Sequence, residues 1–247
     1  MVRKHPGTGR SEGTVKCRDN DDMNQVSISG VRGVIFDFDG TLMDSMPDWS
    51  RKMLWQLDEA GISYPSDIIR RITPLGDIGA AEYFRELGLK RSVPEIVEGM
   101  QAYAREAYRN RILPKPGVPE FLVFLAERGI RMCVLTASPR SLIAPCLARC
   151  RMDSFFSFTC SCDEVGMTKS DPEIYRRTSE RLGIPMEECL FFDDNLLALS
   201  VASEAGLRTV GVWDSSSSSD WNAICRLTDW QVTDFRLIRT MDKFNER

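Results

Sequence analysis

Short apolar runs alternate with amphipathic stretches along most of the chain. The run VRGVIF (31–36) is continuously apolar and rich in β-branched residues, which is typical of a strand buried on both faces. From residue 118 onward, further strands are predicted at 130–135, 155–159, 188–192 and 207–213, with an edge strand at 230–235. Helices are predicted between them at 118–129, 139–150, 171–183 and 195–206. This alternation predicts an α/β fold with a doubly wound parallel sheet.

A purely helical block separates the first strand from the second. Helical spacing starts at Pro47 and ends at Gly61, and helices are also predicted at 66–72, 77–88 and 94–109. We expect residues 47–113 to form an inserted helical cap domain, with hinges near 43–47 and 110–117. Residues 30–46 and 114–240 would then form the core. Residues 1–29 are polar and carry both charge signs, which predicts a disordered tail, and the serine run at 215–219 predicts a loop.

Composition narrows the class of protein. The 247 residues are 43% hydrophobic and 28% charged, as in ordinary globular chains, and the formal net charge of -4 argues against a nucleic-acid partner. No apolar stretch is long enough for a membrane span. The eight cysteines form no C-x-x-C pair, and the one histidine is His5. We therefore expect free thiols in a reducing cytoplasm rather than a cysteine–metal site.

Polar residues follow the predicted strands where a parallel sheet binds ligands, at the carboxyl ends of its strands. Asp37 and Asp39 follow the first strand, and Lys169 lies in a loop before a helix. The two other groups are Thr136, Ala137 and Ser138 after the second core strand, and Asp193 and Asp194 after a later one. One lysine cannot balance so many carboxylates, whereas Mg²⁺ prefers carboxylate oxygens and commonly bridges to phosphate. The pattern predicts a magnesium site that receives a phosphoryl group.

The motifs DFDGT, Thr136, Lys169 and FFDDN, in this order, resemble the four motifs of the haloacid dehalogenase superfamily over about residues 31–240. The helical block between the first two motifs is similar to the cap of subfamily I, whose core is Rossmann-like. The resemblance implies that Asp37 is the nucleophile that forms an aspartyl-phosphate and that Asp39 is the general acid and base.

The resemblance also implies a ligand set. Mg²⁺ would be held by the Asp37 carboxylate, the Asp39 backbone carbonyl and Asp194, with Asp193 close by or acting through water. The phosphoryl oxygens would be bound by Thr136, the Ala137 amide and Lys169, beside the tight turn at Gly40. The implied partner is a small phosphorylated metabolite.

Each of these residues also has a purely structural interpretation. Asp39 could stabilise a turn before glycine, and Lys169 could be a solvated surface residue. Asp193 and Asp194 could cap the helix that follows them, and Thr136 and Ser138 could cap the helix at Pro139. Four such coincidences in the correct order are less probable than one shared site, so we favour the site.

Differences among members of the superfamily narrow the range of activities expected for this chain. Asp39 favours phosphate chemistry over dehalogenation, and the histidine that mutases resembling β-phosphoglucomutase carry in the first cap helix is replaced by Trp49. The sequence thus predicts a Mg²⁺-dependent phosphatase acting on a sugar phosphate or phosphoglycolate. A phosphomutase and a non-catalytic phosphate-binding module are the alternatives. In the cap, Arg70 and Arg71 are candidates for binding a second anionic group of the substrate. The alternative is that they are surface residues at a helix end. Asp48 and Trp49 are candidates for the entrance, and core packing is an equal alternative for Trp49.

Overall fold

The computed structural model describes residues 23–240, in which a parallel sheet carries helices on both faces. The strands are β1 (Gln25–Val26), β2 (Gly33–Phe36), β3 (Arg131–Thr136), β4 (Phe156–Ser161), β5 (Cys189–Asp193), β6 (Arg208–Val212), β7 (Trp230–Val232) and β8 (Arg239–Thr240). Six of them form the main sheet in the order β4-β3-β2-β5-β6-β7, and every neighbouring pair is parallel. The predicted doubly wound α/β fold is confirmed.

Helices connect the strands and also form the block that follows β2. They are α1 (Met46–Glu59), α2 (Ile68–Ile72), α3 (Gly76–Glu86), α4 (Val93–Asn110), α5 (Val118–Glu127), α6 (Arg140–Arg149), α7 (Cys162–Val165), α8 (Pro172–Leu182), α9 (Leu196–Glu204) and α10 (Trp221–Leu227). Single 3-10 turns occur at Thr73–Leu75, Asp153–Phe155, Met186–Glu188, Ser215–Ser217 and Phe235–Leu237. The predicted helices form within a few residues of their expected bounds, whereas α7 and α10 were not predicted.

The central strand β2 is apolar throughout because both of its faces are covered. Val34 and Phe36 belong to one hydrophobic cluster, together with residues of α5 and α6, whereas Ile35 belongs to a second cluster with residues of α8 and α9. This alternation follows from the two-residue period of a strand. Continuous apolar sequence in β2 is therefore the consequence of its position in the middle of a parallel sheet.

The strand order reverses beside β2, because the chain first proceeds to β3 and β4 and then returns to β5 on the other side. Phe36 pairs in register with Val134 of β3 and with Phe192 of β5. The carboxyl ends of the three strands are therefore level with each other. The loops after β2, β3 and β5 open at the topological switch point, where open parallel sheets bind ligands.

The helical block, residues 46–110, contains a hydrophobic cluster of its own, formed by residues of α1 to α4. The last turns of α4 leave that cluster, since Ala104, Ala107 and Tyr108 pack into the main core with residues of α5 and α6. Helix α4 therefore joins the helical block to the core rather than lying within the block alone.

Two predicted boundaries need correction. The disordered tail predicted for residues 1–29 is wrong for residues 23–29, because Val26 is fully buried and β1 pairs with β8 more than two hundred residues later. Residues 1–22 lie outside the described part of the chain. The predicted edge strand 230–235 ends at Val232, where Asn24 Oδ1 accepts hydrogen bonds from the backbone amides of Thr233 and Asp234.

The described residues contain no helix that is both long and apolar enough to span a membrane. Within the same residues, the cysteines form no disulfide bonds with one another, and all of them except Cys150 are buried. For this part of the chain, the expectation of reduced thiols is confirmed.

Candidate active site

The loop after β2 carries the first two candidate residues. The backbone amide of Asp37 still donates to the carbonyl of Phe192 at 2.9 Å, so Asp37 lies at the end of the β2–β5 pairing, and it is only 6% exposed. Gly40 follows with φ of 80°, and a Cβ atom there would lie 2.7 Å from Asp194 Oδ2. Glycine is therefore required at residue 40 both for the turn and for the approach of Asp194.

Asp37, Asp193 and Asp194 form what we call the acidic cluster. All three are buried, and each offers a carboxylate oxygen that lies within 4.8 Å of those of the other two. Asp193 and Asp194 reach this place from the end of β5, next to β2 in the sheet. The sheet topology thus brings together acids more than 150 positions apart along the chain.

Lys169, between α7 and α8, is the cation of the cluster. Its Nζ contacts Asp37 Oδ1 and lies 2.8 Å from Asp193 Oδ2, and its side chain is 14% exposed. The Lys169 carbonyl oxygen is in turn 2.8 Å from the hydroxyl of Tyr175, a residue of α8. Lys169 is therefore held at both its backbone and its ammonium group.

The electrostatics of the acidic cluster favour protonation of Asp37 and of Asp194. Burial, with further repulsion from Asp193 and Asp39, raises the pKa of Asp37 to about 7, although Lys169 acts in the opposite direction. Burial and the neighbouring acids Asp193 and Asp37 raise the pKa of Asp194 well above its usual range. For Lys169, burial lowers the pKa, but the attraction of Asp193 and Asp37 outweighs it and keeps the ammonium charged.

This donor set fits a hard divalent cation. Three buried carboxylates with one ammonium leave an excess of negative charge that burial makes costly. Oxygen ligands of this kind are those that Mg²⁺ prefers. A cation at the acidic cluster would remove the excess and restore the ionised form of Asp37.

The loop after β3 lies on the other side of β2. Thr136 is buried at the end of β3, and its Oγ1 accepts a hydrogen bond from the Ser138 amide at 2.9 Å, while Ala137 is exposed. Ser138 Oγ donates to Asp39 Oδ2 at 2.5 Å. The loops after β2 and β3 are therefore in direct contact, as a shared site requires.

The Asp39 carboxylate lies outside the acidic cluster, in a group of hydroxyls. Its Oδ1 accepts from Ser45 Oγ and from the Tyr108 hydroxyl, each at 2.6 Å, while Ser138 donates to Oδ2. We call Ser45, Tyr108 and Ser138 the hydroxyl cluster. This arrangement leaves the Asp39 side chain out of the carboxylate group and is compatible with a metal contact through its backbone only.

The structure decides between several of the structural alternatives. Helix α9 is capped by Asn195, whose side chain accepts from the Ala198 amide, so Asp194 is not the cap. Helix α6 begins after Pro139 without a side-chain cap. Asp193 Oδ1 does accept from the Asn195 amide at 2.7 Å, which combines a turn contact with its ion pair to Lys169.

The candidate residues of the helical block do not form one group, unlike those at the sheet edge. Arg70 and Arg71 are both exposed, and Arg71 pairs at 2.9 Å with Asp67, the residue that precedes α2, which supports the surface interpretation for Arg71. Trp49 packs against the cluster of the helical block, and Asp48 accepts hydrogen bonds from Tyr103 and Arg111.

Two features of the site were missed by sequence analysis. Lys115, within the second predicted hinge (110–117), forms an ion pair of 2.9 Å with the 4% exposed Asp214, and the charges of both act on Asp194. Ser45 lies in the first predicted hinge (43–47) and Tyr108 in the helix predicted at 94–109, and neither was a candidate site residue. Only the proline-rich stretch NRILPKPG (110–117), which contains Lys115, gave any signal in the sequence.

Comparison with known proteins gives three results. The sequence profile of the haloacid dehalogenase-like hydrolases matches residues 31–206. A phosphorylated carbohydrates phosphatase of Thermotoga maritima is 27% identical, over 73% of this chain and 84% of its own length. A phosphoglycolate phosphatase of Pseudomonas savastanoi pv. phaseolicola is 27% identical, over 72% of this chain and 68% of its own.

Among solved structures, CbbY from Rhodobacter sphaeroides in complex with phosphate superimposes with a TM-score of 0.68 at 19% identity. The match covers 85% of this chain and 97% of CbbY. At this identity the likeness establishes the fold.

Proposed function

The chain belongs to the haloacid dehalogenase-like hydrolases, a family of enzymes, and we propose that it is a Mg²⁺-dependent phosphatase that hydrolyses a small phosphomonoester. One observation carries the proposal. Asp37 lies in a buried group of carboxylates against Lys169, while Asp39, two residues later, is held apart by hydroxyls. The two acids therefore have surroundings suited to different roles.

In the first step, an Asp37 carboxylate oxygen forms a bond to phosphorus while the ester P–O bond breaks. The electron pair of that bond goes to the leaving oxygen, which takes a proton from the Asp39 carboxylic acid. In the second step, a water molecule attacks the aspartyl-phosphate and gives its proton to the Asp39 carboxylate. The P–O bond to Asp37 then breaks and inorganic phosphate is released.

The residues that would hold Mg²⁺ are Asp37, Asp194 and the Asp39 carbonyl, with Asp193 close by. When bound, the cation neutralises charge on the phosphoryl group and on the acids around it. The chain's own contribution to the equatorial phosphoryl oxygens comes from Thr136, the Ala137 amide and Lys169, beside the turn at Gly40.

The helical block, residues 46–110, is proposed to act as the cap that selects the substrate and excludes water on closure. The names of the relatives support a phosphorylated carbohydrate or phosphoglycolate as substrate. Trp49 supports hydrolysis over phosphoryl transfer between hydroxyls. A mutase needs a group in the cap that exchanges a proton with the second hydroxyl of a sugar phosphate, and an indole cannot act as a base.

The test is hydrolysis of p-nitrophenyl phosphate with Mg²⁺, then with EDTA, followed by a screen of sugar phosphates and phosphoglycolate. We expect metal-dependent turnover. Asp37→Asn removes the nucleophile and should lower kcat by at least about 10³-fold. Since the same change relieves repulsion in the acidic cluster, its melting temperature without metal should be no lower than that of the wild type.

Turnover that survives EDTA, or that persists in Asp37→Asn, would contradict the proposal. Transfer of phosphate to a second hydroxyl of a sugar phosphate rather than to water would favour the phosphomutase. Phosphate binding without any turnover would favour a non-catalytic module.

A further inference from the structure

The Asp39 carboxylate receives three hydrogen bonds that come from three separate parts of the chain. Ser45 lies at the start of α1, Tyr108 in the last turns of α4, and Ser138 in the loop after β3. Their donor oxygens lie 2.5 to 2.6 Å from the carboxylate oxygens, and all three residues are at most 9% exposed. The side chain of Asp39 is thus fixed by groups that only the tertiary structure brings together.

The Tyr108 hydroxyl is not needed for packing. The Tyr108 ring stacks on Phe38 at 6.2 Å between ring centroids and belongs to the main hydrophobic core. A phenylalanine would fill the same space, and a buried hydroxyl without a partner costs free energy. The hydroxyl therefore serves its polar partners, which are Asp39 Oδ1 at 2.6 Å and, more distantly, Ser138 Oγ at 3.4 Å. Burial and the charge of Asp39 raise the pKa of Tyr108, so the hydroxyl remains a donor.

Helix α4 is fixed against the core where it carries Tyr108. Arg149 of α6 donates from Nη2 to the carbonyl oxygen of Ile112 and, at 3.4 Å, to that of Tyr108. The Tyr108 hydroxyl is therefore held by the core as well as by its own helix. Any displacement of α4 would move the donor away from Asp39.

Ser45 makes the same contact from the start of a helix. It occupies the N-cap position of α1 but makes no side-chain cap hydrogen bond, and its hydroxyl donates to Asp39. Ser92, at the N-cap of α4, instead forms a capping box with Glu95. Serine at an N-cap ordinarily accepts from a backbone amide of the first turn.

We propose that Tyr108 is a positioning residue whose hydroxyl holds the Asp39 carboxylate in place for proton transfer. Through this contact, the position of the carboxylate depends on how α4 packs on the core. The proposal rests on the function proposed above. Tyr108 does not touch the substrate in this account. It acts through Asp39, and its effect should therefore depend on how much a reaction needs a proton on the leaving oxygen.

The experiment compares three substrates: p-nitrophenyl phosphate, phenyl phosphate and glycerol 2-phosphate. p-Nitrophenolate leaves readily as an anion, whereas an alkoxide needs the proton from Asp39. For Tyr108→Phe we expect kcat/KM to fall by about tenfold on glycerol 2-phosphate and by less than about twofold on p-nitrophenyl phosphate. Phenyl phosphate should lie between them.

Tyr103→Phe is the matched control, because Tyr103 lies on the same helix and donates its hydroxyl to Asp48 instead. It should leave all three values of kcat/KM unchanged. Ser138→Ala, which removes the donor to the other carboxylate oxygen, is the second variant and should show the same dependence on the leaving group. Thermal unfolding verifies that each variant is folded.

An equal loss on all three substrates, or no loss, would overturn the proposal while leaving the phosphatase assignment intact. Crystal structures supply a readout that does not require turnover. We expect the Asp39 side chain to adopt a second rotamer in Tyr108→Phe but not in Tyr103→Phe. A single unshifted rotamer in both variants would also overturn the proposal, whereas failure of the wild type to hydrolyse any ester would overturn only the proposed function.

Discussion

Asp37 and Asp39 are two residues apart and yet lie in opposite surroundings. Asp37 is buried in the acidic cluster, where carboxylates repel each other and one ammonium offsets part of the charge. Asp39 is half-buried and surrounded by neutral hydroxyls. Residues two apart in an extended strand would point to the same side. The difference therefore arises because the chain leaves β2 after Phe36 and turns at residues 38–40. It shows how one short motif can supply both a nucleophile and a proton carrier.

The largest expected effect that separates the two aspartates is that of Asp39→Asn. We expect steady-state turnover of p-nitrophenyl phosphate to fall by about 10²- to 10⁴-fold, because no base activates water. Asp37 remains able to attack, so the first turnover should release p-nitrophenolate in a burst and leave a phosphorylated protein. The burst is measured by stopped-flow absorbance and the adduct by mass spectrometry. Absence of both would place Asp39 outside the proton-transfer role.

The next expected effect concerns the counter-charge of the acidic cluster. Lys169 lowers the pKa of Asp37, so Lys169→Met should raise that pKa further above its usual range. Because the nucleophile must be ionised, the acid limb of the pH–rate profile should move to higher pH. Loss of a phosphoryl contact should also lower kcat by roughly 10²-fold. A pH profile of kcat/KM with saturating Mg²⁺ tests this, and an unshifted acid limb would contradict it.

A smaller effect concerns metal binding. The pKa of Asp37 is about 7, and a carboxylate must lose its proton before it binds a cation. Apparent Mg²⁺ affinity should therefore rise by about tenfold per pH unit below pH 7 and level off above it. Calorimetric titration at pH 6 and pH 8 measures this. Affinity that does not change with pH would show that Asp37 binds no cation.

Rising pH should increase Mg²⁺ affinity, but through the same carboxyl group it should decrease the stability of the metal-free protein. The folded-state pKa of Asp37 is raised, so its contribution to the free energy of unfolding is present below pH 4 and is lost as pH rises through about 7. Without Mg²⁺, this site should therefore lower the melting temperature between pH 5 and pH 8. Saturating Mg²⁺ should reverse that decrease at pH 8.

The smallest expected effect compares two serines at helix starts. Ser92→Ala removes a capping box and should lower the free energy of unfolding by about 1 kcal/mol without changing kcat. Ser45→Ala removes no cap, so its effect on stability should be smaller, while its kcat/KM on alkyl esters should fall. Chemical denaturation and kinetics on both variants separate the two outcomes. The reverse pattern would mean that Ser45 serves the helix rather than Asp39.

Much of the fold could be predicted because local pattern and position in the sheet agree. The strand before Asp37 is apolar throughout since β2 is central and covered on both faces, and α1 begins beside Pro47 and ends just before Gly61, as expected. Helix α10 was missed because it has only seven residues, of which Ile224 and Cys225 are buried. The pairing of β1 with β8 has no local signal at all, because two residues cannot show a period.

The sequence by itself determined the kind of chemistry available. Two acids after one strand, two after another and a lysine between them could be placed at a common sheet edge from strand order alone, since parallel strands end on the same side. Only the tertiary structure decided which acid faces which neighbours. The contacts of Asp39 with Tyr108 and Ser138 span 69 and 99 positions, and the Lys115–Asp214 pair is equally remote. Such contacts depend on how the helices pack against the sheet, and the periodicity of the sequence does not specify that packing.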